Sequence, residues 1–131
     1  MNIFSKSDVV KPVVHKHGEA IYELLSREQG KSEIHSVAIA TIPAGKASLM
    51  HYHPVAEESY YILKGEARII LGEEENELQP GQVVLIPPGL KHKIYNTGNE
   101  ELEFLVVCVP AWEPGNTLFL EEFSSTGSVF N

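Results

Sequence analysis

The chain has little that would staple or anchor it. A single cysteine, Cys108, rules out an intrachain disulfide and fits a reducing compartment. It lies in the apolar run 104–109 and reads as a packed, inert thiol. Basic residues are scarce: 10 Lys and Arg stand against 18 Asp and Glu, for a formal charge of −8. That balance repels phosphate backbones and argues against nucleic acid as a partner. No apolar run approaches membrane-spanning length, and residues 1–10 lack the apolar core of a signal peptide, so no membrane role and a cytoplasmic location are expected. Internal repeats and low-complexity blocks are missing as well.

Helical periodicity is nearly absent, and short apolar stretches alternate with turn residues, the pattern of an all-β sandwich or barrel. At 131 residues the chain reads as one domain, 1–131, large enough for its own core. The core barrel is expected at about 33–110, with an N-terminal strand or loop segment and a C-terminal tail packed on it. Residues 20–25 fit an early strand or a short helix. Residues 34–42 alternate as a strand, and 60–63 and 66–71 flank Lys64-Gly65 as a tight hairpin, with Gly65 supplying the positive φ. Residues 72–76 read as an acidic turn. Pro80-Gly81 fits the centre of a type II turn feeding a buried strand at 82–86. Strands at 91–96 and 102–109 follow, then a loop from Pro110, a last short element at 118–123, and a mobile Ser-Ser-Thr-Gly-Ser run at 124–128.

Chemistry concentrates in two stretches. The first runs Gly45, five residues, His51-x-His53, four residues, Glu58, six residues, Gly65. The second runs Gly81, five residues, Pro87-x-Gly89, two residues, His92, three residues, Asn96. Side chains two apart on a strand share a face, so His51 and His53 present two imidazoles to one point. Pro54 interrupts the alternation and calls for a bend before Glu58. His15-x-His17 has the same spacing without a glycine frame or a following Glu, and reads as an exposed N-terminal pair.

The two stretches match the two signature motifs of the cupin superfamily at every fixed position, and the chain resembles a small single-domain cupin. The resemblance implies a double-stranded β-helix (jelly-roll) barrel in which His51, His53, Glu58 and His92 hold one divalent metal. Three nitrogen donors and a carboxylate, with no thiolate, suit Mn, Fe, Co, Ni or Zn. Four protein ligands leave open positions on a six-coordinate ion, the mark of a catalytic rather than a structural site.

A metal-dependent enzyme acting on a small oxygenated substrate, of dioxygenase, decarboxylase or isomerase type, is therefore the leading expectation. A non-catalytic metal or small-molecule binding module is the alternative. Tyr60 shares the parity of Glu58 and is a weak catalytic candidate; His35 is weaker, and Asn96 fits a turn role better. Tyr61, Leu63 and Ile70 make the presumed hairpin apolar on its second face also, which leads to the expectation of a homodimer packed through sheet faces.

Overall fold

The computed structural model describes residues 1–123 and 129–130. The strands are β1 (Val13–Val14), β2 (Ala20–Leu25), β3 (Ser36–Ile42), β4 (His51–Tyr52), β5 (Glu57–Lys64), β6 (Ala67–Leu71), β7 (Glu74–Leu78), β8 (Val83–Ile86), β9 (His92–Asn96), β10 (Leu102–Val109), β11 (Leu118–Phe119), β12 (Glu122–Phe123) and β13 (Val129–Phe130). Two one-turn 3-10 helices, Lys6–Asp8 and Pro114–Asn116, are the only helical elements among the described residues. The Ser-Ser-Thr-Gly-Ser run at 124–128 lies outside the described residues.

Two antiparallel sheets face each other, one in the order β1-β2-β3-β10-β5-β8 and the other β11-β4-β9-β6-β7. Alternation along the strands decides what lies between them. The first sheet sends in Ala40, Phe104, Tyr60 and Ile62, and the second sends in Ala67, Ile69 and Ile94, all in one buried cluster. This is the expected all-β jelly roll, and residues 20–25 are a strand.

Three readings of local structure are corrected. Lys64-Gly65 does not close a hairpin: β5 pairs with β10 and β8, whereas β6 pairs with β7 and β9, so this turn carries the chain from one sheet to the other. Gly65 does take a positive φ of 93°. Ala67 and Ile69 therefore meet Tyr60 and Ile62 across the barrel rather than along one face. The acidic stretch 72–76 is mostly strand β7, whose side chains from Glu74 to Glu77 are exposed; charge hid a solvated edge strand. The strand at 82–86 was expected to be buried, yet it forms the other sheet's edge, with Val83 63% and Leu85 54% exposed. Its Pro80-Gly81 turn is as expected, since Gln82 N donates to Gln79 O over 3.1 Å and Gly81 has φ 89°.

Outside the first sheet, register sets Tyr22, Ile39, Leu105, Tyr61 and Val83 in one row across five strands. The N-terminal segment covers part of it, with Lys6 Nζ 4.7 Å from the Tyr22 ring centroid and 2.7 Å from Glu103 Oε2. Toward β5 and β8 the row is open. Outside the second sheet, Lys93 is buried and its Nζ bonds both carboxylate oxygens of Glu121 at 2.7 and 2.8 Å, tying the C-terminal segment to the back of β9.

Candidate metal centre

His51, His53, Glu58 and His92 come together, one potential ligand atom from each lying within 4.8 Å of the others. Their delivery follows from the local chain. His51 and His92 are directly opposed where β4 pairs β9. After His53 the chain bends at Pro54-Val55, as proline requires, and Glu58 enters on the inward face of β5. The Pro87-x-Gly89 turn folds back onto the first stretch: Gly89 N donates to His53 O over 2.7 Å, with Gly89 at φ 79°. Glycine reaches that left-handed conformation without a steric penalty.

Each imidazole is oriented by its outer nitrogen. His51 Nδ1 lies 2.7 Å from Leu49 O, His92 Nδ1 3.0 Å from Leu90 O, and His53 Nδ1 3.2 Å from Asn116 O. A carbonyl only accepts, so each Nδ1 carries the proton and each Nε2 is left with a lone pair. His92 Nε2 and His53 Nε2 both sit against Glu58 Oε1, at 3.2 and 3.3 Å, and His53 Nε2 is buried with no hydrogen bond of acceptable geometry. Buried lone pairs and a carboxylate oxygen facing one point repel unless a cation stands among them. The donor set is compatible with one metal ion, and its chemistry fits a borderline divalent one.

The electrostatics describe the site without a cation, where a proton on His53 can take the place of one. Burial lowers the His51 pKa to about 4, with His92 beside it adding to the effect. Burial also works against charge on His53, but the Glu58 carboxylate beside it outweighs that and raises its pKa. Burial favours the neutral Glu58 carboxyl, yet its bonds to His53 and His92 bring its pKa down to about 2.

Tyr60 is a buried wall residue whose ring centroid lies 5.9 Å from that of His92. Burial, and then the Glu58 charge, push its phenol pKa well above the usual value, so near neutral pH it is a proton holder and not a base. His35 precedes β3 and does not line the site. Asn96 serves its turn: Oδ1 accepts from Gly98 N at 2.9 Å and Nδ2 donates to Ile42 O and Glu100 O.

Four of the residues around the site were missed in the sequence. Thr117 Oγ1 lies 3.1 Å from His53 Nδ1 and accepts from Trp112 Nε1 at 2.9 Å, so the loop after β10 supports a motif histidine. Glu19, just before β2, and Glu23, in the middle of it, line the site's cavity. The pattern Glu19-x-Ile21-x-Glu23 carried that signal. The expectation of an exposed His15-x-His17 pair is corrected for His17, which is buried with Nε2 3.2 Å from Glu19 Oε1. A turn closed by Gly18 N to His15 O holds this segment, with Gly18 against Pro43. His15 lines the same cavity as His51, His53 and Glu58.

The model of the cupin domain matches residues 38–108, which holds both motif stretches. An uncharacterised protein of Methanocaldococcus jannaschii is 38% identical over 119 residues, 91% of this chain and 95% of its own length. An oxalate-binding protein of Thermotoga maritima is 35% identical over 86 residues, 66% of this chain and 71% of its own. Among solved structures, a protein described as a predicted oxalate decarboxylase from Thermotoga maritima superposes with a TM-score of 0.72 at 28% identity, over 83% of this chain and 99% of that one. With the motif frame, the two facing sheets and these matches agreeing, the chain belongs to the cupin family.

Proposed function

We propose that this cupin is a divalent-metal-dependent enzyme acting on a small oxygenated molecule, by dioxygenase, decarboxylase or isomerase-type chemistry. His51, His53, Glu58 and His92 are the ligands in this reading. The observation that carries it is the set of three imidazoles, each with its outer nitrogen committed to a carbonyl, converging with Glu58 beside a cavity that His51, His53 and Glu58 line. A bound Mn, Fe, Co, Ni or Zn ion would supply Lewis acidity, or electron transfer if Fe or Mn. The chain's own share is different. Glu58 stays ionised to balance the cation, Tyr60 keeps its proton and donates a hydrogen bond toward the site, and apolar side chains exclude water.

The name of the Thermotoga maritima oxalate-binding protein supports the second reading, a metal or small-molecule binding module without turnover. Elemental analysis of tag-free protein, with oxygen-uptake and product assays on a panel of carboxylates, diols and phenols, separates the two. Stoichiometric Fe or Mn with oxygen consumption indicates a redox enzyme. A Zn or Ni protein that isomerises or decarboxylates a panel member indicates Lewis-acid catalysis, and stoichiometric metal without turnover of any member sinks the enzyme reading in favour of the binder.

The working unit in this proposal is one domain with its barrel core at about 33–110, located in the cytoplasm, where a lone thiol stays reduced. Two copies associate through the open end of the outer apolar row, at Tyr61, Leu63, Val83 and Leu85.

A further inference from the structure

We propose that the cavity beside the four-residue cluster, before any cation is bound, favours a small neutral ring bearing a hydroxyl group over an anion of the same ring size. The inference rests on the metal-centre reading only for the end at which the molecule is oriented.

Size comes first. The cavity measures about 140 Å³. An apolar cavity of about 150 Å³ takes one benzene ring. Its walls are apolar and partly aromatic: Ile21, Ala38, Val106, Trp112 and Phe119 line it. A flat ring fills such a space with dispersion contacts that an extended polar chain does not make.

Charge decides the rest. Glu19, the residue before β2, and Glu23 within it flank Ile21 in sequence, and all three line the cavity together with Glu58. Among the described residues no lysine or arginine lines it. The nearby ammonium groups are turned elsewhere: Lys6 pairs with Glu103 and Lys93 with Glu121, each on the outside of a sheet. Enclosed carboxylate and phosphate groups are recognised by guanidinium, ammonium or helix N-termini. In the metal-free protein an entering anion meets like charge against apolar walls, where repulsion is stronger than in water. A hydroxyl group has the opposite experience, since Glu23, and the Glu19 oxygen not set against His17, can accept a charge-assisted hydrogen bond from it. A cationic ring would find the same glutamates but would lose its hydration against apolar walls.

The test uses three probes of one ring size, phenol, benzoate and benzylamine, titrated at pH 7.5 into metal-free and zinc-loaded protein and followed by methyl NMR shifts. Phenol is expected to bind at least about tenfold more tightly than benzoate in metal-free protein, where chelation plays no part. Glu19→Gln with Glu23→Gln should narrow that ratio at least about fivefold while changing phenol affinity less. The single variants serve if the double one does not fold. Ala38→Leu, which fills the wall, should abolish phenol binding with the circular dichroism spectrum unchanged. Benzoate or benzylamine binding as tightly as phenol, no phenol binding at all, or a ratio indifferent to both glutamates would overturn the proposal. Metal content measured on parallel samples keeps the two readings apart: selectivity in a protein that never loads metal sinks only the metal centre, and absent selectivity in the metal-free form of a protein that does load sinks only this inference.

Discussion

Thr117 Oγ1 stands 3.1 Å from His53 Nδ1, although the two residues are 64 positions apart. Because Asn116 O shares that nitrogen at 3.2 Å, the loop holds the imidazole by two contacts. Outer contacts of this kind tune a ligand rather than create it. Thr117→Val is expected to weaken metal affinity by about tenfold, measured by competition with a chromophoric chelator, without abolishing binding. Unchanged affinity would mean that Asn116 alone orients the ring.

Loss of a ligand should act more severely. His53→Ala and His92→Ala are each expected to lose stoichiometric metal, read by elemental analysis, while the far-UV spectrum keeps its β signature. The core of Phe104, Ile62, Ile94 and their neighbours persists without the imidazole, so folding and loading separate. Full metal content in both variants would refute the ligand set.

Acid should remove the metal in a defined order. His53 has a raised pKa because of Glu58, so protons compete there from above the ordinary imidazole value of 6.5. His51, at about 4, remains a neutral donor over most of the range. Dialysis against a weak chelator should leave the protein loaded near pH 8 and largely empty near pH 5. The metal-free fold has its own profile. His51, depressed from 6.5 to about 4, and Glu58, depressed from 4.5 to about 2, give stability that is present above their unfolded values and lost as pH falls through their folded ones. His53 has the opposite sign: its stabilisation is present below 6.5 and lost as pH rises through its raised value. Chemical denaturation at several pH values should resolve the decline from about pH 6.5 downward in the wild type. A flat profile there would contradict the burial of these groups.

Gly65→Val is expected to cost more than about 1 kcal/mol in denaturant unfolding. A Cβ at this φ of 93° would sit 3.1 Å from Leu102 Cα and 3.2 Å from Glu101 O, both of them backbone atoms that cannot swing away. An unchanged midpoint would show that the crossing between sheets tolerates another conformation.

Leu85→Lys with Val83→Lys should convert the proposed dimer to a monomer in sedimentation without unfolding it, since both side chains are exposed on an edge strand. A wild-type chain that is already monomeric at high concentration would remove the dimer.

The motif residues were legible because their chemistry is unusual and their glycine frame fixes spacing, so His51, His53, Glu58 and His92 could be grouped before any fold was known. Strand alternation likewise placed Tyr60 and Ile62 inward. What failed was anything decided by pairing across the chain. Lys64-Gly65 has the residues of a hairpin, but only the partners of β5 and β6 reveal a change of sheet. Apolar composition suggested burial for Val83 and Leu85, whereas an outer sheet face is covered only by what lies against it. Thr117 and Trp112 have no local pattern that ties them to His53; their role depends on where the loop after β10 lands.

Cys108 lies directly opposite Glu58 in the β10–β5 pairing and is 2% exposed, and burial together with that carboxylate pushes its thiol up to about 12. The only sulfhydryl in the chain is thus shielded from alkylating reagents as long as the barrel is closed, and bare once it opens. Its labelling rate is a built-in clock for barrel opening. Read with and without added ion, that clock reports how strongly loading the centre locks the barrel, with no engineered label and at a backbone position paired with a residue of the site.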